Sequence, residues 1–258
     1  MSTKGLAPGA SVGAARPTDH ARPAALVTGS AKGIGKAIVL ALAADGFDVV
    51  VHYRRSRAEA EAVAAAAAAL GAHAVALAAD VTVEAEARGL VDAAHGLHGR
   101  LDVLVNNVGD YHHGPLADLS AEVWHHMLAS NLHSTFYTCQ RAVPYLRLAP
   151  RGGRIVNIGY AGAELLKARP GIAAYGIAKT GVILYSKALA LSEAAAGVTV
   201  NVVSPGVIEN SVSAPKQELP MARVGRLDEV VAAVRYFLSP AADYVTGTTL
   251  EVAGAWNV

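Results

Sequence analysis

The chain has 258 residues, with 22 Lys and Arg against 21 Asp and Glu and a formal net charge of +1. That balance gives no electrostatic reason for a nucleic-acid partner, and no apolar run approaches the ~20 residues a bilayer span needs. The single cysteine, Cys139, cannot make an internal disulfide and fits a reducing cytoplasm, and the ten histidines lack metal-ligand spacing, so no metal is expected.

Residues 1–23 mix Gly, Pro and polar residues without an apolar signal core and read as a disordered leader. From Ala24 onward, short β-rich runs alternate with helical patterns. "AALVTG" (24–29) is a strand, and "GIGKAIVLALAADG" (33–46) a helix stopped by Gly46. "FDVVVHY" (47–53) is a second strand, followed by an Ala- and Glu-rich helix over about 57–70. "HAVALAAD" (73–80) is a third strand, and "EAEARGLVDAAHGLHG" (84–99) is helical. "LDVLVNN" (101–107) is a fourth strand before one long helix near 121–147. "GRIVNIG" (153–159) is a fifth, followed by a helix over about 173–196. "VTVNVVSPG" (198–206) and "TTLEVAG" (248–254) complete seven strands.

Continuous Val/Ile/Leu runs without polar alternation mark strands buried on both faces, as in parallel sheets. The strand–helix alternation with short links predicts an α/β, Rossmann-type, doubly wound and mainly parallel seven-stranded sheet with helices on both faces. No linker divides residues 24–258, which read as one dinucleotide-binding catalytic domain.

"VTGSAKGIG" follows the first strand and opens the first helix. Gly29, Gly33 and Gly35 let backbone approach a pyrophosphate on the positive end of that helix. The end of the second strand, which an acidic residue would suit to the ribose 2′-hydroxyl of NAD, reads "HYRRSR" instead, with no carboxylate before Glu59. Arg54, Arg55 and the loop's Lys32 suit a 2′-phosphate, so the expected cofactor is NADP. In "AAYGIAK", Tyr175 and Lys179 lie one helical turn apart. They are either an ordinary amphipathic pair or a proton donor beside a cation that lowers its pKa.

Taken in order, "TGSAKGIG", "DV" at 80–81, "NNVG" at 106–109, Asn131 in "SNLHS", "YGIAK", "SPG" at 204–206 and "YVTGTTLEVAG" resemble the short-chain dehydrogenases/reductases. The resemblance covers residues 24–258 and favours the chemical role for Tyr175 and Lys179. It implies cofactor contacts from Ser30 and Ile34 in the glycine loop, from Asp80 and Val81 at the adenine, and from Asn107, Val108 and Gly109 on the adenosine side. Tyr175 would be the general acid, with Lys179 holding the nicotinamide ribose and favouring the tyrosinate. Asn131 would keep a water in the proton relay, and Pro205, Gly206 and Ile208 would meet the nicotinamide amide. It also implies a homotetramer, for which the apolar faces of the helices at 121–147 and 173–196 are long enough.

Two departures stand out. The family's serine after the fifth strand is missing: no Ser or Thr occurs from Gly152 to Tyr175, and the aligned residue is Tyr160, expected as either a substitute donor or a packing wall. The threonine that usually follows "SPG" is also absent, leaving Asn210 or Ser211 as donors in a lid over about 208–221. "GDYHHGP" (109–115) would lie at the pocket mouth, with Tyr160, Glu164 and Glu209 making the site polar. The expected activity is hydride transfer between NADPH and a carbonyl or alcohol of a small polar substrate, similar to 3-oxoacyl-carrier-protein reductases. Alternatives are a pteridine or dihydrofolate-type reductase and a catalytically silent nucleotide-sensing or scaffold protein.

Overall fold

The computed structural model describes residues 22–211 and 219–257. Residues 1–21 of the proposed leader and 212–218 of the proposed lid lie outside the described residues. Arg22, counted with that leader, is anchored: its guanidinium donates to the carbonyls of Gly46 at 2.9 Å and Gly71 at 2.8 Å.

The apolar runs form seven strands: β1 (Ala24–Val27), β2 (Asp48–Tyr53), β3 (Ala74–Ala78), β4 (Val103–Asn106), β5 (Arg154–Ile158), β6 (Thr199–Pro205) and β7 (Thr249–Val252). They pair in the order β3-β2-β1-β4-β5-β6-β7, every pair parallel. The central strands are buried throughout, whereas the edge strands β3 and β7 are partly open.

The helices are α1 (Gly33–Ala44), α2 (Arg57–Ala69), α3 (Glu84–His98), α4 (Ala121–Leu128), α5 (Ser134–Leu146), α6 (Ala173–Glu193) and α7 (Leu227–Leu238). Side-chain alternation divides the core in two. Val27, Val49, Val51, Val105 and Val203 face α1, α2 and α7. Leu26, Val50, Leu104, Ile155 and Val200 face α3, α5 and α6. The sheet is therefore covered on both sides, as the continuous apolar runs required.

Two elements differ from the sequence reading. Helix α7 was not anticipated, although Leu227, Val230, Val231, Val234 and Phe237 follow a helical period and Glu229 accepts from the Arg226 N–H at 2.7 Å. The expected single helix over 121–147 is interrupted by a π-helical turn, Ala129–His133, between α4 and α5. Its extra residue turns Asn131 into the interior, where it is fully buried.

A polar chain crosses the α5/α6 face of the core. Thr138 donates to Asn106 Oδ1 at 2.7 Å, Asn106 to Asn157 Oδ1 at 2.9 Å, and Asn157 to Ser186 Oγ at 2.8 Å. All four residues are buried and each is satisfied, which locks β4 and β5 to α5 and to α6, the helix that carries Tyr175 and Lys179. Asn157→Ala would take one buried hydrogen bond from each of Asn106 and Ser186 and open a small cavity, so it should cost about 2–4 kcal/mol. Urea unfolding measures this; a loss below about 1 kcal/mol would mean that the network does not hold the layers together.

Candidate active site

The site lies at the carboxyl ends of β1, β4 and β5, where open α/β sheets bind ligands. A cleft of about 530 Å³ is lined by Lys32, Gly33, Ile34, Asn107, Gly109, Tyr111, Ile158, Tyr175, Lys179 and Asn210.

Its first wall is the glycine loop. Gly29 and Gly33 take φ of 63° and 54°, and a Cβ on Gly35 would come within 2.5 Å of the Gly29 carbonyl. Asn107 Nδ2 donates to the carbonyls of Thr28 and Gly29 at 3.0 and 3.1 Å, while Thr28 Oγ1 accepts from the Asn107 and Val108 N–H groups. The N-terminus of α1 has neither a side-chain cap nor an acidic residue in its first turn. By contrast, Ser120 caps α4. The positive end of α1 is thus left open toward the cleft.

His52, which the sequence reading passed over, braces this loop from below. Its Nδ1 accepts from the Gly29 N–H at 2.9 Å, so Nε2 carries the proton donated to the Ala79 carbonyl at 3.0 Å. Burial holds its pKa below the ordinary value, outweighing Ala79 and Asp80, and keeps the ring neutral. Ser30 lies beneath the cleft rather than in it. Its hydroxyl donates to the Val27 carbonyl at 2.7 Å and accepts from the His52 N–H at 3.0 Å.

At the outer end, Arg54, Arg55 and Lys32 do cluster, but two are paired. Arg54 meets Asp80 at 3.5 Å, and Lys32 meets Glu59 at 2.7 Å. Burial favours the neutral Asp80, yet Thr82 and Arg54 together hold its carboxyl below its usual range. Arg55 is exposed and unpaired among the described residues. Val81 is buried in the core against α3.

The floor is α6. Tyr175 and Lys179 share one face of it, and Lys179 Nζ donates to the Ile158 carbonyl at 2.7 Å, lying 5.9 Å from the Tyr175 ring centroid. Burial pushes the Lys179 ammonium down to about 8. Burial, reinforced by the phenols of Tyr160 and Tyr111, pushes Tyr175 above the ordinary tyrosine range. In the protein alone Lys179 therefore does not produce the expected tyrosinate: desolvation of the phenol outweighs a cation that is itself desolvated and turned to a carbonyl.

Asn131 donates to the carbonyls of Asp110 and Met127, both at 3.0 Å, and its buried Oδ1 has no hydrogen-bond partner. A Cβ on Gly109 would collide with that oxygen and approach Lys179 Nζ to 3.2 Å, so only glycine fits there.

Tyr160 stands beside Tyr175, ring centroids 5.3 Å apart and nearly perpendicular. Its hydroxyl accepts from Arg169 at 2.8 Å and from Asn257 Nδ2 at 3.3 Å. Tyr111, Tyr160, Arg169, Val207 and Trp256 enclose an adjoining chamber of about 320 Å³ with His113 and Gly171. Arg169, Trp256 and Asn257 carried no sequence signal of this role, because they meet Tyr160 only through tertiary contact.

Other expected contacts fall outside the cleft. Ile208 packs into the α1/α7 core, and Pro205 and Gly206 pair with the Val252 end of β7 rather than lining it. Asn210 does face the cleft, against Gly33, whereas Ser211 Oγ accepts from the Ile208 N–H at 3.0 Å. Glu209 is turned to the Leu227 N–H and Glu164 to Lys187, so neither makes the site polar. Asp110 pairs with His126.

A doubly wound α/β fold with an open glycine-rich turn and a buried tyrosine–lysine floor defines a nucleotide-dependent oxidoreductase. Residues 29–257 match the family model described as enoyl-(acyl carrier protein) reductase. A 3-oxoacyl-(acyl-carrier-protein) reductase of Synechocystis sp. is 41% identical over 237 residues, covering 89% of this chain and 95% of that protein. Nodulation protein G of Azospirillum brasilense is 37% identical, covering 90% and 97%. A short-chain dehydrogenase from Burkholderia cenocepacia, solved with NADP, superposes with a TM-score of 0.86 at 32% identity, covering 93% of this chain and 100% of that one. The chain belongs to the short-chain dehydrogenase/reductase family and is an oxidoreductase. These relatives support the carbonyl-reducing assignment, not the pteridine one.

The depressed Lys179 has a stability consequence. Between about 8 and its unperturbed 10.5, the unfolded chain binds the proton that the folded lysine has lost, so folding is favoured as pH rises. Relative to Lys179→Met, the wild type should gain roughly 2–3 kcal/mol of stability between pH 7 and pH 10.5. Parallel stability profiles of the two proteins would show that Lys179 titrates normally.

Proposed function

We propose that this protein is an NADPH-dependent carbonyl reductase acting on small polar substrates, similar to 3-oxoacyl-carrier-protein reductases. The observation that carries this reading is the position of Tyr175 and Lys179 on the floor between the open end of α1 and the Tyr160 chamber. The cleft fits a dinucleotide: Gly33 lines it without a side chain, Gly35 lets α1 start tight against the Gly29 carbonyl, and the uncapped N–H groups of the first turn of α1 suit a pyrophosphate. Lys32, Gly33, Ile34, Asn107, Gly109 and Asn210 would hold it, with Arg54, Arg55 and Lys32 at the 2′-phosphate. When bound, NADPH supplies the hydride that converts the carbonyl carbon to an alcohol carbon.

Tyr175 donates its phenolic proton to the carbonyl oxygen as charge develops there. Its raised pKa in the unliganded protein keeps that proton in place. Lys179 supplies the neighbouring positive charge, and the free Asn131 Oδ1 suits a water between that ammonium and bulk solvent. Tyr160 takes the missing serine's place. Both lone pairs of its hydroxyl are engaged by Arg169 and Asn257, so its own O–H is free to donate to the substrate. A silent scaffold is disfavoured because it has no use for a buried lysine beside a buried phenol.

We assign the protein to the cytoplasm on its single, buried Cys139. We also assign it a homotetramer: Ile177, Leu184 and Leu191 make an exposed apolar stripe at heptad spacing on α6, with Phe136 exposed on α5. Such a surface suits burial around a two-fold axis.

NADPH should bind at least tenfold more tightly than NADH, about 1.4 kcal/mol. The exposed Arg54–Asp80 and Lys32–Glu59 pairs do not prevent this, since surface ion pairs are worth only ~0–1 kcal/mol and yield to a phosphate. Arg54→Ala with Arg55→Ala should erase most of the preference; equal affinities in the wild type would refute the assignment.

Tyr175→Phe should nearly abolish reduction. Tyr160→Phe, which keeps the ring and removes the hydroxyl, should lower kcat by roughly a hundredfold, as for loss of one oxyanion donor, with NADPH affinity unchanged. Activity within about threefold of wild type would reduce Tyr160 to a wall of the chamber.

A further inference from the structure

The geometry points to an anion subsite at Arg169, and we infer that the substrate is an oxo acid whose carboxylate binds there. This rests on the carbonyl-reductase reading above and narrows it to a substrate class.

Arg169 is half-buried and lines both the 320 Å³ chamber and an apolar cavity of about 540 Å³ on the other side of Tyr160. Its guanidinium carbon lies 5.5 Å from the Tyr160 ring centroid, a cation–π contact, and its Nη1 donates to the Tyr160 hydroxyl. Among the described residues that phenol is its only hydrogen-bond partner, and none of their carboxylates pairs with it. The other polar groups at the chamber are uncharged or basic: Tyr111, His113, Trp256 and Asn257. The acids that could have neutralised it are engaged elsewhere. Glu164 binds Lys187, Glu251 accepts the Gly162 N–H at 2.6 Å, and Asp110 binds His126.

A guanidinium has five N–H groups, and a single neutral acceptor leaves most of them unused. A bidentate carboxylate is the ligand that matches the free edge of such a fork. Gly162 lets the guanidinium pack close to the chain: a Cβ there would meet the Asn257 carbonyl at 2.7 Å and Arg169 Nη2 at 3.0 Å.

Tyr160 links this subsite to the reaction. With Arg169 at 2.8 Å on one side of the hydroxyl and Tyr175 packed beside the ring, a carbonyl oxygen accepting from Tyr160 lies within two hydrogen-bond lengths of the guanidinium. That span suits a carboxylate one or two carbons from the ketone. A short alkyl group on the substrate can then extend into the apolar cavity lined by Leu116, Leu166, Ile172 and Ile177.

The test uses the full chain with NADPH and two matched pairs: 2-oxohexanoate with its methyl ester, and 3-oxobutanoate with its methyl ester. In the wild type, kcat/KM should favour the acid over the ester by at least tenfold in one pair. In Arg169→Met that ratio should fall to about one, chiefly through KM for the acid, while Arg169→Lys keeps part of the preference. A wild type indifferent to the charge overturns the proposal. So does an Arg169→Met variant in which acid and ester fall together, for that is what a residue merely bracing Tyr160 would do. Binding is followed independently by Trp256 fluorescence in a Trp124→Phe background. Charge-dependent quenching by an acid that is not reduced supports the subsite and refutes the reductase reading; no quenching by either acid refutes the subsite.

Discussion

The structure turns on an ammonium buried at the carboxyl edge of the sheet. Taking Lys179 out of water costs several kcal/mol, and the protein offsets this with one strong acceptor, the Ile158 carbonyl at the end of β5. That bond ties α6 to the sheet. It also dictates what can stand nearby: the chain after β4 must pass so close that only glycine fits at Gly109. The next layer must supply a polar wall, which the π-helical turn provides by rotating Asn131 inward. The buried Asn106–Asn157–Ser186 chain directly beneath keeps β4, β5 and α6 in fixed register, so the carbonyl, the ammonium and the phenol of Tyr175 cannot drift apart.

Much of this arrangement was legible from the sequence, and the reasons are local. Strands buried on both faces are rich in apolar residues without strict alternation, as β1 and Val103–Val105 of β4 are, whereas β6 is buried throughout despite Thr199, Asn201 and Ser204. A turn that approaches a ligand by its backbone needs Gly29, Gly33 and Gly35 at those spacings, and Tyr175 and Lys179 share a helix face by period alone. What stayed hidden is tertiary or positional. Helix α7 carries an adequate apolar period but starts after Arg226, without the Ser, Thr, Asp or Asn that marks a helix start. The π turn leaves no mark on apolar periodicity. Glu59 and Lys32 are far apart in the chain, yet the first turn of α2 brings them together at 2.7 Å. His52 looked like one polar residue in a strand; only the packing of β1, β2 and β3 reveals that its two nitrogens hold the Gly29 N–H and the Ala79 carbonyl at once.

The missing serine shows how a local change is absorbed by distant parts of the chain. At Gly159 even a Cβ is excluded, because it would run into Ser204 and Val202 across β6, so a side chain can enter the site only from the next position. A phenol at Tyr160 reaches further from the backbone than a serine hydroxyl, and a longer lever needs more support. The structure provides three kinds: the edge of Trp256 against the ring, the guanidinium of Arg169 over it, and the paired donors Arg169 and Asn257 at its tip. Two of the residues that supply this support, Trp256 and Asn257, are the last ones described.

That support decides what the chamber can accept. A serine is small, neutral and indifferent to charge beyond the carbonyl it contacts. A tyrosine held by a guanidinium cannot be: the brace brings a full positive charge to within one hydrogen bond of the donor, where the surroundings are partly dehydrated and no carboxylate of the described residues balances it. In such a place an unmatched cation is worth far more to an incoming anion than it would be on an open surface. On the proposed reading the donor and the charge preference have one origin, since the guanidinium that braces the Tyr160 hydroxyl also lines the chamber.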